Sequence, residues 1–202
     1  MTLINISDKS EFAVLVLGLI EENKLVSKRL TYAGIGSRNA PITIIRRSSQ
    51  IAKRLEHQWF VLYTGGAYGM DTAFMAGTQF YKCFMPSSYH NGRISNRLDL
   101  IDCSSLTNWH EANKFVIKYH PNVPALKPYS KTLMARNSYC ILGQDLNSPV
   151  DFVLCWTPNG EDVGGTAQGI RIARDWNIPI FNLANDNVLA DVLRVLKLNL
   201  FD

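Results

Sequence analysis

Hydrophobic positions in this chain follow two rhythms, and the two alternate. Short, nearly unbroken apolar runs lie at Thr31 to Ala33, Trp59 to Leu62, Cys83 to Met85, Asp151 to Trp156 and Ile178 to Phe181. Runs this short and this apolar suit strands covered on both faces, as in a parallel sheet. Between them apolar residues recur at helical spacing. Phe12, Leu15, Val16, Leu19 and Ile20 predict one helix, or two short ones, over 7–29, with Ser7 as cap. Ile44, Ile45, Ile51, Ala52 and Leu55 predict another, with Pro41 in its first turn. Further helices are predicted from Trp109 to Tyr119, from Lys127 to Gly143, through Ile170, Ile172 and Ala173 to Trp176, and from Asn185 to Leu196. Strands alternating with helices predict one α/β domain with a mostly parallel sheet.

The stretch 87–108 obeys neither rhythm. Ser87 to Arg93 is polar, and Arg97 follows. A long aperiodic excursion inside a compact domain predicts a lid or binding loop, from which His90 and Arg93 can reach a ligand. A surface loop without a ligand is the alternative.

Composition narrows the picture. A hydrophobic fraction of 47% and a charged fraction of 19% argue against disorder, and 202 residues suit one domain. Cys83, Cys103, Cys140 and Cys155 are scattered without a C-x-x-C pair, which points to reduced core thiols and away from zinc. His110 and Glu111 are adjacent, so they cannot form a metal pair on a helix; neither metal nor cofactor is expected. The apolar run from Phe12 to Ile20 is too short for a bilayer and lies between acidic residues, so a cytoplasmic protein is expected. The net charge is +4, but it is uneven: residues 81–140 carry eight basic and three acidic groups, whereas 141–202 carry four and eight. A basic middle beside an acidic tail suits an anionic ligand or a head-to-tail contact between subunits. It falls short of the basicity of a dedicated DNA binder.

Chemistry concentrates where three strands end. The first gives way to Gly34-Ile35-Gly36-Ser37-Arg38, the second to Gly65-Gly66-Ala67-Tyr68-Gly69-Met70-Asp71, and the fourth leads to Gly164-Gly165-Thr166-Ala167-Gln168. Glycines admit an anion close to the backbone, and a following helix aims its free N–H groups at it. In a parallel sheet such turns share one edge. Ser37 and Arg38 add a hydroxyl and a guanidinium, although a surface ion pair would also explain Arg38. Arg136 and Asn137 lie beside the apolar side of a helix, where an arginine needs anionic or carbonyl partners. Asp71 near a helix start is equally suited to a structural role. The G-x-G-x-x-G dinucleotide spacing fails at Ala40-Pro41.

Taken in order, Gly36-Ser37-Arg38, Gly66-Ala67-Tyr68-Gly69-Met70-Asp71, Arg136-Asn137 and Gly164-Gly165-Thr166 resemble the Rossmann-like superfamily of DprA and the LOG-type nucleotide phosphoribohydrolases (SLOG). The resemblance covers about residues 31–182. It implies a three-layer Rossmann-like domain over 31–202 after a helical extension over 1–30, and a homodimer. It is similar above all to stand-alone versions from tailed phages, which implies a phage protein acting in host cytoplasm. DprA proteins usually carry a further helical domain, and many a winged helix, for which this chain has no room. LOG enzymes follow their P-G-G-x-G-T turn with a catalytic glutamate, where this chain has Gln168. An amide cannot stabilise an oxocarbenium ion as a carboxylate does.

Three readings follow. In the first, Gly34, Gly36, Ser37, Arg38, Gly65, Gly66, Ala67, Gly69, Met70, Asp71, Arg136, Asn137, Gly164, Gly165, Thr166 and Gln168 bind, without catalysis, a nucleotide, a nucleotide-derived signal or the backbone of single-stranded DNA. In the second, Arg136 with Asp71, Glu111 or Glu161 forms a nucleoside monophosphate N-glycosidase. In the third, the chain is a recombination mediator that binds single-stranded DNA. Tyr68, Trp109 and Trp156 can stack bases in each.

Overall fold

The computed structural model describes residues 10–26 and 29–198, so the proposed Ser7 cap lies outside the described residues. The first helix, α1 (Glu11–Val26), begins instead after Ser10, whose hydroxyl accepts from the Ala13 N–H. There follow β1 (Leu30–Gly36), α2 (Ile42–Glu56), β2 (Phe60–Thr64), α3 (Met70–Ala76) and β3 (Tyr81–Met85). Next come a hairpin, β4 (Tyr89–His90) and β5 (Arg93–Ile94), then β6 (Leu100–Asp102), α4 (Trp109–Tyr119) and α5 (Pro128–Leu142). The chain closes with β7 (Phe152–Trp156), α6 (Thr166–Asp175), β8 (Ile180–Asn182) and α7 (Asp186–Val195).

Six strands form one sheet in the order β6-β3-β2-β1-β7-β8, and every neighbouring pair is parallel. Period-two alternation sends successive side chains to opposite faces. Tyr32, Phe60, Leu62, Phe152 and Leu154 join a core beneath α1, α2, α3 and α7. Ala33, Ile35, Phe84, Val153 and Cys155 join the opposite core beneath α4, α5 and α6. The result is the three-layer Rossmann-like sandwich expected from the alternation. α1 belongs to one of these layers: Phe12 meets Phe152 and Phe181 edge-on, with ring centroids 5.8 and 4.9 Å away.

The structure differs from the pattern in three places. Trp59 is not part of the second strand: it has a positive φ of 66°, is 69% exposed and stacks on Phe80. Pro41 precedes α2 instead of entering it. The stretch 87–108 is not a featureless loop. Asn91 and Gly92, with φ of 47° and 77°, form the tight turn between β4 and β5, and Leu100–Asp102 adds a strand at the sheet edge. All four cysteines are free and buried. Among the described residues no helix is long and apolar enough to cross a membrane.

Candidate functional site

The strand order fixes where a ligand can enter. From β1 the chain moves one way across the sheet to β2, β3 and β6, then returns to lay β7 on the other side of β1. Loops leaving β1 and β7 therefore diverge, opening a crevice at the carboxyl ends of those strands. An open cleft of about 400 Å³ lies there. Its walls come from Ile35 to Asn39 after β1, Ala67 and Asp71 after β2, one side of α5, and Pro158 and Val163 to Thr166 after β7.

Asp71 organises the floor. It is 3% exposed, and its carboxylate accepts backbone N–H bonds from Gly36 at 3.3 Å and from Gly65 and Ala67 at 3.2 Å each. One side chain thus ties the end of β1 to the glycine turn after β2. Burial pushes its carboxyl above the ordinary range, opposed by the Arg136 guanidinium and by those three N–H donors. Arg136, 4% exposed, contributes Nη1 at 3.4 Å from Asp71. Its guanidinium packs against Gly65, where a Cβ would fall 1.1 Å from Nη1 and displace it. Arg136 Nε is buried without a partner. A buried guanidinium N–H without a partner is costly, and the guanidinium that carries it lines the cleft.

The rims are fixed by similar ties. Ser37 N–H donates to the Trp156 carbonyl, and the Ser37 carbonyl accepts from Met70 N–H. Gly69, with φ of 80°, lets Ser37 and Arg38 lie against it; a Cβ there would stand 2.6 Å from their backbone. The loop thereby holds Arg38 at the cleft, exposed and with no hydrogen bond or ion pair among the described residues. Asn137 donates to the Gly165 carbonyl at 2.9 Å and fastens α5 to the start of α6, whose first turn has no side-chain cap.

Of the residues expected at a site, Gly36, Ser37, Arg38, Ala67, Asp71, Arg136, Asn137, Gly164, Gly165 and Thr166 line this cleft. Gly34, Gly65, Gly66, Gly69 and Met70 stand behind its surface and shape it. Gly34 leaves room for Leu62 and Phe74, and Met70 packs against Gly36. Gln168 is turned away: it is buried, and its amide donates to the Met134 carbonyl of α5. Glu111 lies on α4 paired with Lys114, and neither it nor Glu161 is part of the cleft wall. Among the lining residues Asp71 is the one carboxylate. Of the three candidate stacking rings, Tyr68 is 63% exposed beside Ala67, whereas Trp109 stacks on Tyr139 and Trp156 packs into the core.

The hairpin supplies a brace for the glycine turn after β2 that the apolar rhythm did not announce. Asn91 Nδ2 and Arg93 Nη1 both donate to the Gly66 carbonyl, at 3.0 and 3.1 Å. His90, buried behind them, is held near a pKa of about 4 by burial and by the fields of Arg136, Arg93 and Arg38. Arg38 and Arg136 line the cleft, and Arg93 is tied to the Gly66 carbonyl, one residue from Ala67 in the cleft wall.

No family model and no curated protein matches this sequence. A solved structure does match its fold. It is DNA processing protein A from Helicobacter pylori, described for its single-stranded DNA binding mode. The TM-score is 0.52 at 19% identity, over 86% of this chain and 83% of that one. The fold is DprA-like.

Proposed function

We propose that this chain binds single-stranded nucleic acid, gripping backbone phosphate in the cleft between the ends of β1 and β7. The observation that carries this reading is Arg136. A buried guanidinium lines an open cleft together with Arg38, which is exposed and has no hydrogen bond or ion pair among the described residues. Both groups suit a phosphodiester, Arg38 by charge and Arg136 by a desolvated hydrogen bond. Tyr68, exposed at the rim, offers a face on which an unpaired base can stack. The similarity to a single-stranded-DNA-binding protein supports the same ligand class. A free nucleotide presents the same phosphate chemistry and fits the same groups.

Cleavage has less support. Asp71 is engaged by three N–H groups and by Arg136; neither Glu111 nor Glu161 lines the cleft; and Gln168 faces α5. Among the described residues lining the cleft, no free carboxylate is placed to stabilise an oxocarbenium ion. The test is fluorescence anisotropy of a labelled 20-nucleotide oligothymidylate, with a duplex of equal length and thymidine 5′-monophosphate as competitors. Binding of the single strand in preference to duplex, competed weakly by the mononucleotide, is expected. Tight binding of the mononucleotide alone would replace the strand by a small-molecule ligand.

A further inference from the structure

Resting on that reading, we infer that Tyr129 forms a second phosphate subsite beside the cleft, for the neighbouring nucleotide of the same strand. The direction of three hydrogen bonds decides it. The Gly66 carbonyl can only accept, so the Asn91 group facing it at 3.0 Å is the amide NH₂. That same Nδ2 lies 3.1 Å from His90 Nε2, which must therefore accept. A histidine that accepts at Nε2 carries its proton on Nδ1, and the neutral ring agrees with its burial among Arg136, Arg93 and Arg38. His90 Nδ1–H then donates to the Tyr129 hydroxyl, 3.0 Å away.

The consequence falls on Tyr129. With an oxygen lone pair occupied by the histidine, its own O–H is left to donate, and the hydroxyl has no other partner among the described residues. Tyr129 is 56% exposed and immediately precedes Ser130, which lines the cleft. An oriented donor one residue from the lining of a cleft that holds Arg38 and Arg136 fits an anionic oxygen. A strand whose first phosphate sits at Arg38 and Arg136 presents its next phosphate nearby. The chain from Gly66 through Asn91 and His90 sets which way Tyr129 donates, and so couples the glycine turn to the second subsite.

The experiment competes labelled 20-nucleotide oligothymidylate with thymidine 5′-monophosphate and with the 5′-phosphorylated dinucleotide. Wild-type protein should bind the dinucleotide about tenfold more tightly than the mononucleotide, as a charge-assisted hydrogen bond would give. Tyr129→Phe should erase most of that advantage and leave mononucleotide competition, the check on an intact cleft, unchanged; its melting temperature should fall modestly, because the buried His90 Nδ1–H loses its acceptor. Phosphorus NMR of the dinucleotide on wild-type protein gives a reading that needs no variant: its internal phosphate should shift on binding. A dinucleotide advantage retained in Tyr129→Phe, or an unshifted internal phosphate, would overturn the subsite. If Arg38→Ala weakens both competitors in that case, the cleft reading stands without it. If wild-type protein binds no strand, the cleft reading itself falls, and the subsite with it.

Discussion

Arg136 invites replacement as a ligand contact, but the structure predicts that its loss registers first in stability, and in a pH-dependent way. Arg136→Ala leaves Asp71, 3% exposed, without its cation. Breaking a buried ion pair by removing one partner costs about 3–5 kcal/mol, because the remaining charge stays buried. The three backbone N–H bonds to Asp71 remain, so the lower end, about 3 kcal/mol, applies here. With m for a chain of this size about 2–3 kcal/mol/M in urea, the midpoint should fall by about 1–1.5 M at pH 8. Burial already raises the Asp71 carboxyl, and losing the guanidinium raises it further. A group whose folded pKa lies above its unfolded value stabilises the protein below the unfolded pKa and loses that contribution as pH rises. The deficit of the variant should therefore shrink as pH falls from 8 toward 5. The assay is urea denaturation of both proteins at several pH values, followed by tryptophan fluorescence. A midpoint shift below about 0.3 M at pH 8, or a deficit that does not change with pH, would refute the role given to this pair.

Three further predictions concern the same framework. His90, lowered from 6.5 to about 4, should cost the fold stability as pH falls through that interval, since the unfolded chain takes up the proton first. At 1.36 kcal/mol per unit the ceiling is about 3 kcal/mol; the open cleft nearby screens it to about 2, and His90→Gln should flatten this part of the pH profile in urea titrations. Gly69→Ala places a Cβ 2.6 Å from the Ser37 and Arg38 backbone at a φ of 80°. It should destabilise by about 2 kcal/mol or more and weaken strand binding, measured by melting and anisotropy. Gln168→Glu should not create an N-glycosidase: it buries a carboxylate against the Met134 carbonyl, so a lowered melting temperature and no free base by chromatography are expected.

The sequence made the sandwich legible because its strands are short, apolar and covered on both faces, leaving little room for another assignment. The glycine turns announced the sheet edge for a comparable reason: close packing against Gly36, Gly65 and Gly69 admits no Cβ. Long-range partners were less visible. Nothing local to Asp71 says that it collects N–H groups from two different strand ends, and nothing local to Gln168 says that it turns to Met134. The Asn91-Gly92 pair between Tyr89-His90 and Arg93-Ile94 is a hairpin signal. Two-residue strands are too short for an apolar rhythm to reveal, so the polar run masked it. β6 was hidden likewise by its three residues.

The central claim, that backbone phosphate is held at this cleft, is tested most directly by the salt dependence of oligothymidylate affinity in wild type and Arg38→Ala. Arg38 is exposed and has no hydrogen bond or ion pair among the described residues, so its removal should leave the fold intact. Each phosphate neutralised on a single strand contributes about −0.7 to the slope of log K against log salt. The account predicts weaker binding by Arg38→Ala with a slope shallower by about that amount. Equal affinity and equal slopes for the two proteins would contradict it.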